Sequence, residues 1–251
     1  MTRTLSVCLF MCTLLSNATA AEGETWVAAM KAVHAKGGAE KGSVSQIGDS
    51  ITYTKAFLAG LAWGELKGEE WGALKRLNGK YFNDRKGPEH ANYSGWTAGD
   101  GLAKVPAMLA AQKPEIAVIL YGTNDVRKGV PPAEYEKNLR GILELCIKSG
   151  CVPIISTIPP QLNNDAKVEA LNAVVKKLAA ELKVPLVDFH GEILARQPGT
   201  AWDGTILGKG DVHPTGGANF DFSEENLKKC GYALRNYLVC KAMKDVVEKC
   251  F

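Results

Sequence analysis

The chain of 251 residues has no dense run of lysine and arginine interleaved with aromatic residues, and its 30 basic side chains nearly balance 27 acidic ones. That removes the basic stripe a nucleic-acid surface needs, so no nucleic-acid partner is expected. No CxxC pair occurs and the 4 histidines are scattered, which leaves no zinc spacing. No metal and no other cofactor is therefore expected. No long repeat or biased tract interrupts the chain, which argues against a solenoid or a disordered protein. After residue 20 no apolar stretch is long enough to cross a bilayer, so stable membrane insertion is not expected either. What remains suits one large globular domain with a real core.

The N-terminus stands apart from this. Arg3 supplies a positive start, Leu5 to Leu15 an apolar run, and Ala18-Thr19-Ala20 a small-residue cleavage pattern. That layout reads as a secretory signal peptide over residues 1–20, followed by a single domain over 21–251 with a helical extension at its C-terminus. The expected location is secreted or periplasmic. Met11 before Cys12 is too bulky for a typical lipoprotein cleavage site. Cys8 and Cys12 would leave with the leader, and Cys146, Cys151, Cys230, Cys240 and Cys250 would stay. Export permits disulfides, but an odd number leaves one thiol unpaired or shared between chains. Cys146 and Cys151 straddle a turn at Gly150 and can meet. If the tail is one helix, residues ten apart lie ~15 Å apart along its axis, too far for Cys230, Cys240 and Cys250 to bridge.

Hydrophobic patterning places the elements. Val44 to Ile47 is a short β-favouring run broken at Gly48, and Tyr53 to Trp63 is helix-compatible. Ser50 is thus expected on a strand-to-helix turn, beside the unpaired N–H groups of a helix N-terminus. Further helices are expected over Glu24 to Ala35, Glu65 to Leu77 and Asp100 to Gln112. Glu115 to Tyr121 is a continuous apolar run, as in a strand buried on both faces. Pro132 opens a helix to Lys148, and Cys151 to Ser156 is the next strand. A helix to Lys183 shows Val168, Leu171, Val174, Val175 and Leu178 at helical spacing, and Leu186-Val187-Asp188 is a last strand. Gly191 to Pro198 reads as a brief helix or turn. Thr200 to Ser223 reads as a loop and Glu224 to Glu248 as a closing helix. Strand and helix alternate without hairpin signals, which implies a parallel sheet covered by helices on both faces. Ser50, Gly122-Thr123-Asn124 and Thr157 all follow strand ends, where such sheets bind ligands.

Four short blocks then line up: Gly48-Asp49-Ser50, Ser94-Gly95-Trp96-Thr97, Gly122-Thr123-Asn124-Asp125 and Asp211-Val212-His213-Pro214. Alone, Gly-Asp-Ser is a common turn, an asparagine often only pins its loop, and a loop histidine is usually a surface residue. Together they supply an ester hydrolase. A serine hydroxyl needs a histidine to take its proton, and the oxyanion needs donors already in place. Ser50 can be the nucleophile and His213 the base. The backbone N–H groups of Ser50 and Gly95 and the amide of Asn124 can form the oxyanion hole. His34, His90 and His190 have no such neighbourhood.

The four blocks resemble those of the SGNH-hydrolase (GDSL lipase/esterase) family, with Ser50, Gly95, Asn124 and His213 at the four named positions, over Val44 to His213. The resemblance implies a flavodoxin-like three-layer αβα fold with a central parallel sheet, and metal-free hydrolysis of acyl esters. One position departs from it. The family usually places its acid three residues before the histidine, where this chain has Gly210. Asp211, Asp203 or a backbone carbonyl can orient His213, and proximity favours Asp211 as the third catalytic residue. The expected function is a secreted serine esterase for small acyl esters, with O-acetylated carbohydrate preferred because Trp96 and Trp202 can offer stacking faces. The alternatives are a carbohydrate-binding protein that keeps the fold without the chemistry, or a lipase or thioesterase of the same family. A small-molecule or carbohydrate ester is the expected partner. Oligomeric state is not legible in the sequence.

Overall fold

A computed structural model of the chain describes residues 26–77, 79, 82 and 87–251. The expected signal peptide, with its cleavage site, lies outside the described residues. Among the described residues four strands form one parallel sheet: β1 (Glu40–Gly48), β2 (Pro114–Leu120), β3 (Val152–Ser156) and β4 (Leu186–Val187), ordered β1-β2-β3-β4. Every β2 residue is buried, as its unbroken apolar run requires of a strand covered on both faces. Beyond the free edge of β1, Asn92 forms a single parallel bridge with Gly48.

Helices flank the sheet, giving the α/β sandwich expected from the alternation of elements. Helix Pro132–Lys148 buries Tyr135, Leu139, Ile142, Leu143 and Cys146, one stripe at helical spacing, and packs on helix Asp165–Leu182. That second helix buries all five apolar positions read from its periodicity. The helix expected from Asp100 to Gln112 is two, Ala98–Leu102 and Val105–Gln112, because Pro106 cannot donate into a continuing ladder. The segment expected as a helix over Glu65 to Leu77 is a tighter 3-10 helix, Glu69–Arg76. The closing helix is likewise divided, into Glu224–Leu227 and Gly231–Cys250. The second piece packs against β3, β4 and the 3-10 helix, and carries two fully buried polar residues, Arg235 and Asn236. Cys146, Cys151, Cys230, Cys240 and Cys250 are all buried and free. Burial and the adjacent Cys146 push the Cys151 thiol well above its usual range.

The loop leaving β3 is held by one buried side chain. Asn172 accepts from the Ile158 N–H at 2.8 Å and donates to the Ile158 carbonyl at 3.1 Å. Both backbone groups lie in the interior, where water cannot replace the amide. Asn172→Ala should therefore lower the unfolding free energy in urea by ~2–4 kcal/mol. A loss below ~0.5 kcal/mol would show that Ile158 finds other partners.

Candidate active site

β1 ends in a forced turn. A Cβ on Gly48 would stand 2.3 Å from Thr52 Oγ1 and 2.5 Å from the Leu120 carbonyl, so only glycine lets the chain bend against β2. The next residue, Asp49, is fully buried. Its backbone carbonyl accepts from the N–H groups of Thr52 and Tyr53 at 3.0 and 2.8 Å, and its Oδ1 accepts from Ile51 N–H at 3.0 Å. These bonds close a single helix-like turn, and β-branched Ile51, Thr52 and Thr54 propagate it poorly. The helix expected after Ser50 is accordingly absent. Residues 49–58 are turns and bends, Leu58 is left-handed at φ 59°, and only Ala59–Ala62 is helical. Ser50 thus stands on a tight turn, not at the N-terminus of a long helix.

His213 reaches this turn from the loop between β4 and the closing helix. Its Nε2 lies 2.8 Å from Ser50 Oγ, and its Nδ1 lies 2.8 Å from Asp211 Oδ1. Asp211 Oδ1 also accepts from Val212 N–H at 2.7 Å and more weakly from His213 N–H at 3.4 Å. Partial burial opposes ionisation of Asp211, but the His213 contact and these N–H groups outweigh it and hold the carboxyl below its usual range. Asp203 faces elsewhere, with Oδ1 accepting from Gly210 N–H at 2.6 Å. Among the three candidates for orienting His213, the contact belongs to Asp211. With Nδ1–H directed at Asp211, Nε2 is free to accept the serine proton. The arrangement is open: the His213 and Asp211 side chains are 39% and 52% exposed, so solvent screens the pair.

Asn124 is brought to the same place by the turn after β2. Its Nδ2 donates to the Trp96 carbonyl at 3.0 Å and, loosely, to Asp49 Oδ2 at 3.4 Å. Gly95 lies beside Trp96 in an exposed loop at φ 80°, a conformation that favours glycine. That loop is fastened to β1 by Tyr93 N–H to the Gly48 carbonyl at 3.1 Å and by Asn92 Nδ2 to the Gln46 carbonyl at 2.8 Å. Ser50 and Asp211 thus each touch His213 directly, whereas Asn124 and Gly95 join them through Asp49 and Trp96.

Several supporting residues escaped the sequence reading. Asp125 accepts from Ala98 N–H with both oxygens, at 3.1 and 3.3 Å, tying the Gly95 loop to the Asn124 turn. It stands within the Gly-Thr-Asn-Asp block, so its position was visible but its burial was not. Thr97 and Asp100 close a capping box on the helix that follows. Arg235 donates to the Ile51 carbonyl at 2.6 Å and to Thr52 Oγ1 at 2.9 Å. Its one sequence signal was a charge on the apolar stripe of the closing helix. Trp202, read as a stacking face, is instead 2% exposed and belongs to the core.

Residues 47–217 match the family model described as the GDSL-like lipase/acylhydrolase family. The chain is 29% identical over 169 residues to the Escherichia coli thioesterase 1/protease 1/lysophospholipase L1, covering 67% of this chain and 76% of that protein. It is 33% identical over 149 residues to the esterase TesA of Pseudomonas aeruginosa, covering 58% and 69%. Among solved structures, a carbohydrate esterase family 3 protein from Talaromyces cellulolyticus superposes with a TM-score of 0.58 at 19% identity, over 82% of this chain and 97% of that one. At that identity the likeness concerns the fold.

Two expectations follow. Asp211→Asn should lower kcat by ~100-fold, less than for a buried triad acid because water can partly stand in, while Asp203→Asn should stay within a few-fold of wild type. The reverse ranking of the two variants in steady-state kinetics would transfer the orienting role to Asp203. The second concerns pH. Burial pushes Asp49 up to about 6 against the Ile51 N–H, Arg235 and His213, and pushes Asp125 up to about 6 against the Ala98 N–H. A carboxyl raised in the folded state binds its proton more tightly there than when unfolded. Its stabilising contribution is therefore full below about pH 4 and lost as pH rises through about 6. Urea unfolding between pH 4 and 6 should show a shallower fall in stability for Asp49→Asn than for wild type. Identical slopes would mean that Asp49 titrates normally.

Proposed function

The chain belongs to the GDSL-like lipase/acylhydrolase family of ester hydrolases, and we propose that it is an exported serine esterase that removes small acyl groups, acetyl foremost, from carbohydrate. The observation that carries the reading is the unbroken relay from Asp211 through His213 to Ser50, with two contacts of 2.8 Å at the carboxyl edge of the sheet. Ser50 Oγ attacks the ester carbonyl carbon while its proton passes to His213 Nε2, and Asp211 stabilises the imidazolium. The N–H groups of Ser50 and Gly95 receive the negative oxygen, joined by the Asn124 amide as it leaves its loose 3.4 Å contact with Asp49. Collapse breaks the bond to the alcohol, which leaves with the proton from His213. Water then releases the acid by the same steps in reverse order and restores Ser50.

Support for a sugar leaving group comes from the rings around the site. Tyr53, Tyr93 and Trp96 form a ladder with centroid separations of 5.6 and 5.7 Å. Tyr53 lies three residues after Ser50, Trp96 adjoins Gly95, and Tyr93 is 44% exposed. Rings that are partly open offer flat apolar faces to the C–H face of a sugar. The leader-like sequence of residues 1–20 supports export, and acetylated polysaccharide lies outside the cytoplasm. No described helix is long and apolar enough to cross a membrane.

A second reading rests on a cavity of about 320 Å³ lined by Val126, Val130, Pro131 and Leu171. It begins two residues beyond Asn124, and its apolar wall suits a longer acyl chain, as in a lipase or acyl thioesterase. A fluorophosphonate probe should label wild type at Ser50 and fail on Ser50→Ala, whose loss of activity should come with little change in Tm. Among acetyl, butyryl and longer esters, acetylated oligosaccharides should give the highest kcat/KM. Tyr93→Ala should raise KM for them ~5-fold and leave simple acetyl esters unaffected, as expected for the loss of one aromatic contact. Preference for long acyl chains would select the second reading, and failure to label Ser50 would remove both.

A further inference from the structure

The closing helix reaches into the turn that carries Ser50. Arg235 is fully buried, with its guanidinium stacked 3.6 Å above the Phe57 ring. Nη1 donates to the Ile51 carbonyl at 2.6 Å, and Nη2 donates to Thr52 Oγ1 at 2.9 Å. The Tyr232 hydroxyl adds a longer bond to the same carbonyl, at 3.3 Å. Ile51, the residue after Ser50, is therefore gripped at both ends: its N–H by the Asp49 carboxyl and its C=O by Arg235. A charged fork is an expensive way to satisfy one carbonyl and one hydroxyl. Apolar residues of similar volume often replace buried charges at no cost in stability. Stability alone therefore does not account for an arginine here.

We propose that Arg235 is a positioning residue for the ester hydrolysis, acting through Ile51 and Thr52 to set the Ser50 turn and through its charge to keep Asp49 anionic beneath it. The proposal rests on Ser50 as nucleophile. Asp49 is fully buried and receives Ile51 N–H and, loosely, Asn124 Nδ2. An anionic Asp49 favours the imidazolium of His213 and gives the Asn124 amide a full charge to orient against. Uncompensated, the same charge would repel the oxyanion that forms next to Ser50, and the Arg235 charge offsets it. The charged neighbours acting on Asp49 are Arg235 and His213, which favour its ionisation, and Asp125, which opposes it. The hydroxyls of Tyr121, Tyr135 and Tyr232 also lie within its field. Burial pushes Arg235 down to about 10, and Asp49 and Tyr232 oppose that shift, so the guanidinium stays charged at neutral pH. Removing it takes away the only cation among these neighbours apart from the transient imidazolium.

The test compares Arg235→Met, which keeps length without charge, with Arg235→Lys, which keeps charge without the two-pronged geometry. In Arg235→Met, kcat should fall ~10–100-fold with KM within about two-fold, as expected for the loss of charge-assisted hydrogen bonds. The acid limb of its kcat profile should move up by about one pH unit, because a carboxyl that loses an opposite charge holds its proton more firmly. In Arg235→Lys the limb should return to the wild-type position while kcat stays below wild type. Either variant with wild-type kcat and an unmoved limb would overturn the proposal, as would a loss carried by KM alone. A fall in kcat with the limb unmoved in folded Arg235→Met would reduce Arg235 to a structural clamp and overturn the electrostatic half. If Arg235→Met fails to fold, Arg235→Lys decides: reduced kcat at an unchanged limb supports the proposal, and wild-type kcat defeats it. Fluorophosphonate labelling of wild type separates the two levels. Absence of labelling at Ser50 rejects the site, whereas labelling of wild type and Arg235→Met at equal rates rejects only the role of Arg235.

Discussion

A single buried carboxyl ties together the parts of this site. Asp49 has no access to solvent, and its oxygens are committed to the Ile51 N–H and to the Asn124 amide. The first contact shapes the turn that presents Ser50. The second connects that turn to the end of the neighbouring strand. An isolated buried carboxylate would be very costly, so the surrounding donors and Arg235 are conditions for its being there at all. Asp49 adjoins Ser50 in sequence, where neighbouring side chains on a turn point apart. It holds the loop, and it also couples one block to another.

The sheet makes this coupling possible. β1 and β2 are parallel neighbours in register, with Gly48 opposite Leu120, so their carboxyl ends deliver the Ser50 and Asn124 turns side by side. The Gly95 loop is then laid along the free edge of β1, held by Asn92, Tyr93 and the Tyr121 hydroxyl, which donates to the Ala91 carbonyl at 2.5 Å. Asp125 closes the circuit by holding the helix that leaves this loop. His213 comes from a more open loop, whose shape depends on bonds within itself, such as Gly208 N–H to the His213 carbonyl at 2.9 Å. The turn under Ser50 is thus anchored by buried groups, and the base side is solvated. That asymmetry lets the imidazole exchange protons with water while the turn beneath it stays fixed.

Much of the fold was legible because the relevant signals are local. The apolar run through β2, the spacing of Val168 to Leu178 and the glycine and proline breaks follow from the periods of strand and helix alone, and they hold in the structure. The order of the four blocks likewise lies open in the sequence, since each is a contiguous motif, and with it the hydrolase family. The helix read after Ser50 failed for a tertiary reason. Propensity over Tyr53 to Trp63 carried no record that Ile51, Thr52 and Leu58 would bond to Arg235 and Asn236 of the closing helix instead of continuing the turn begun at Asp49.

What the sequence determined by itself was therefore the alternation of elements, the parallel sheet they imply, and the candidates Ser50, Gly95, Asn124 and His213. It narrowed the partner of His213 to Asp211, Asp203 or a carbonyl. Only the tertiary structure places Asp211 against Nδ1 and turns Asp203 toward Gly210, because both lie in an irregular loop whose path is set by its hydrogen bonds and not by a period. Trp202 was equally undecidable, since an indole serves a core or a binding face with the same chemistry, and its burial excludes the face. Arg235 lies 185 positions from Ser50 in the chain, and no pattern in the sequence joins them. Their connection exists only because folding packs the closing helix against the turn, where a long charged side chain can reach the Ile51 carbonyl.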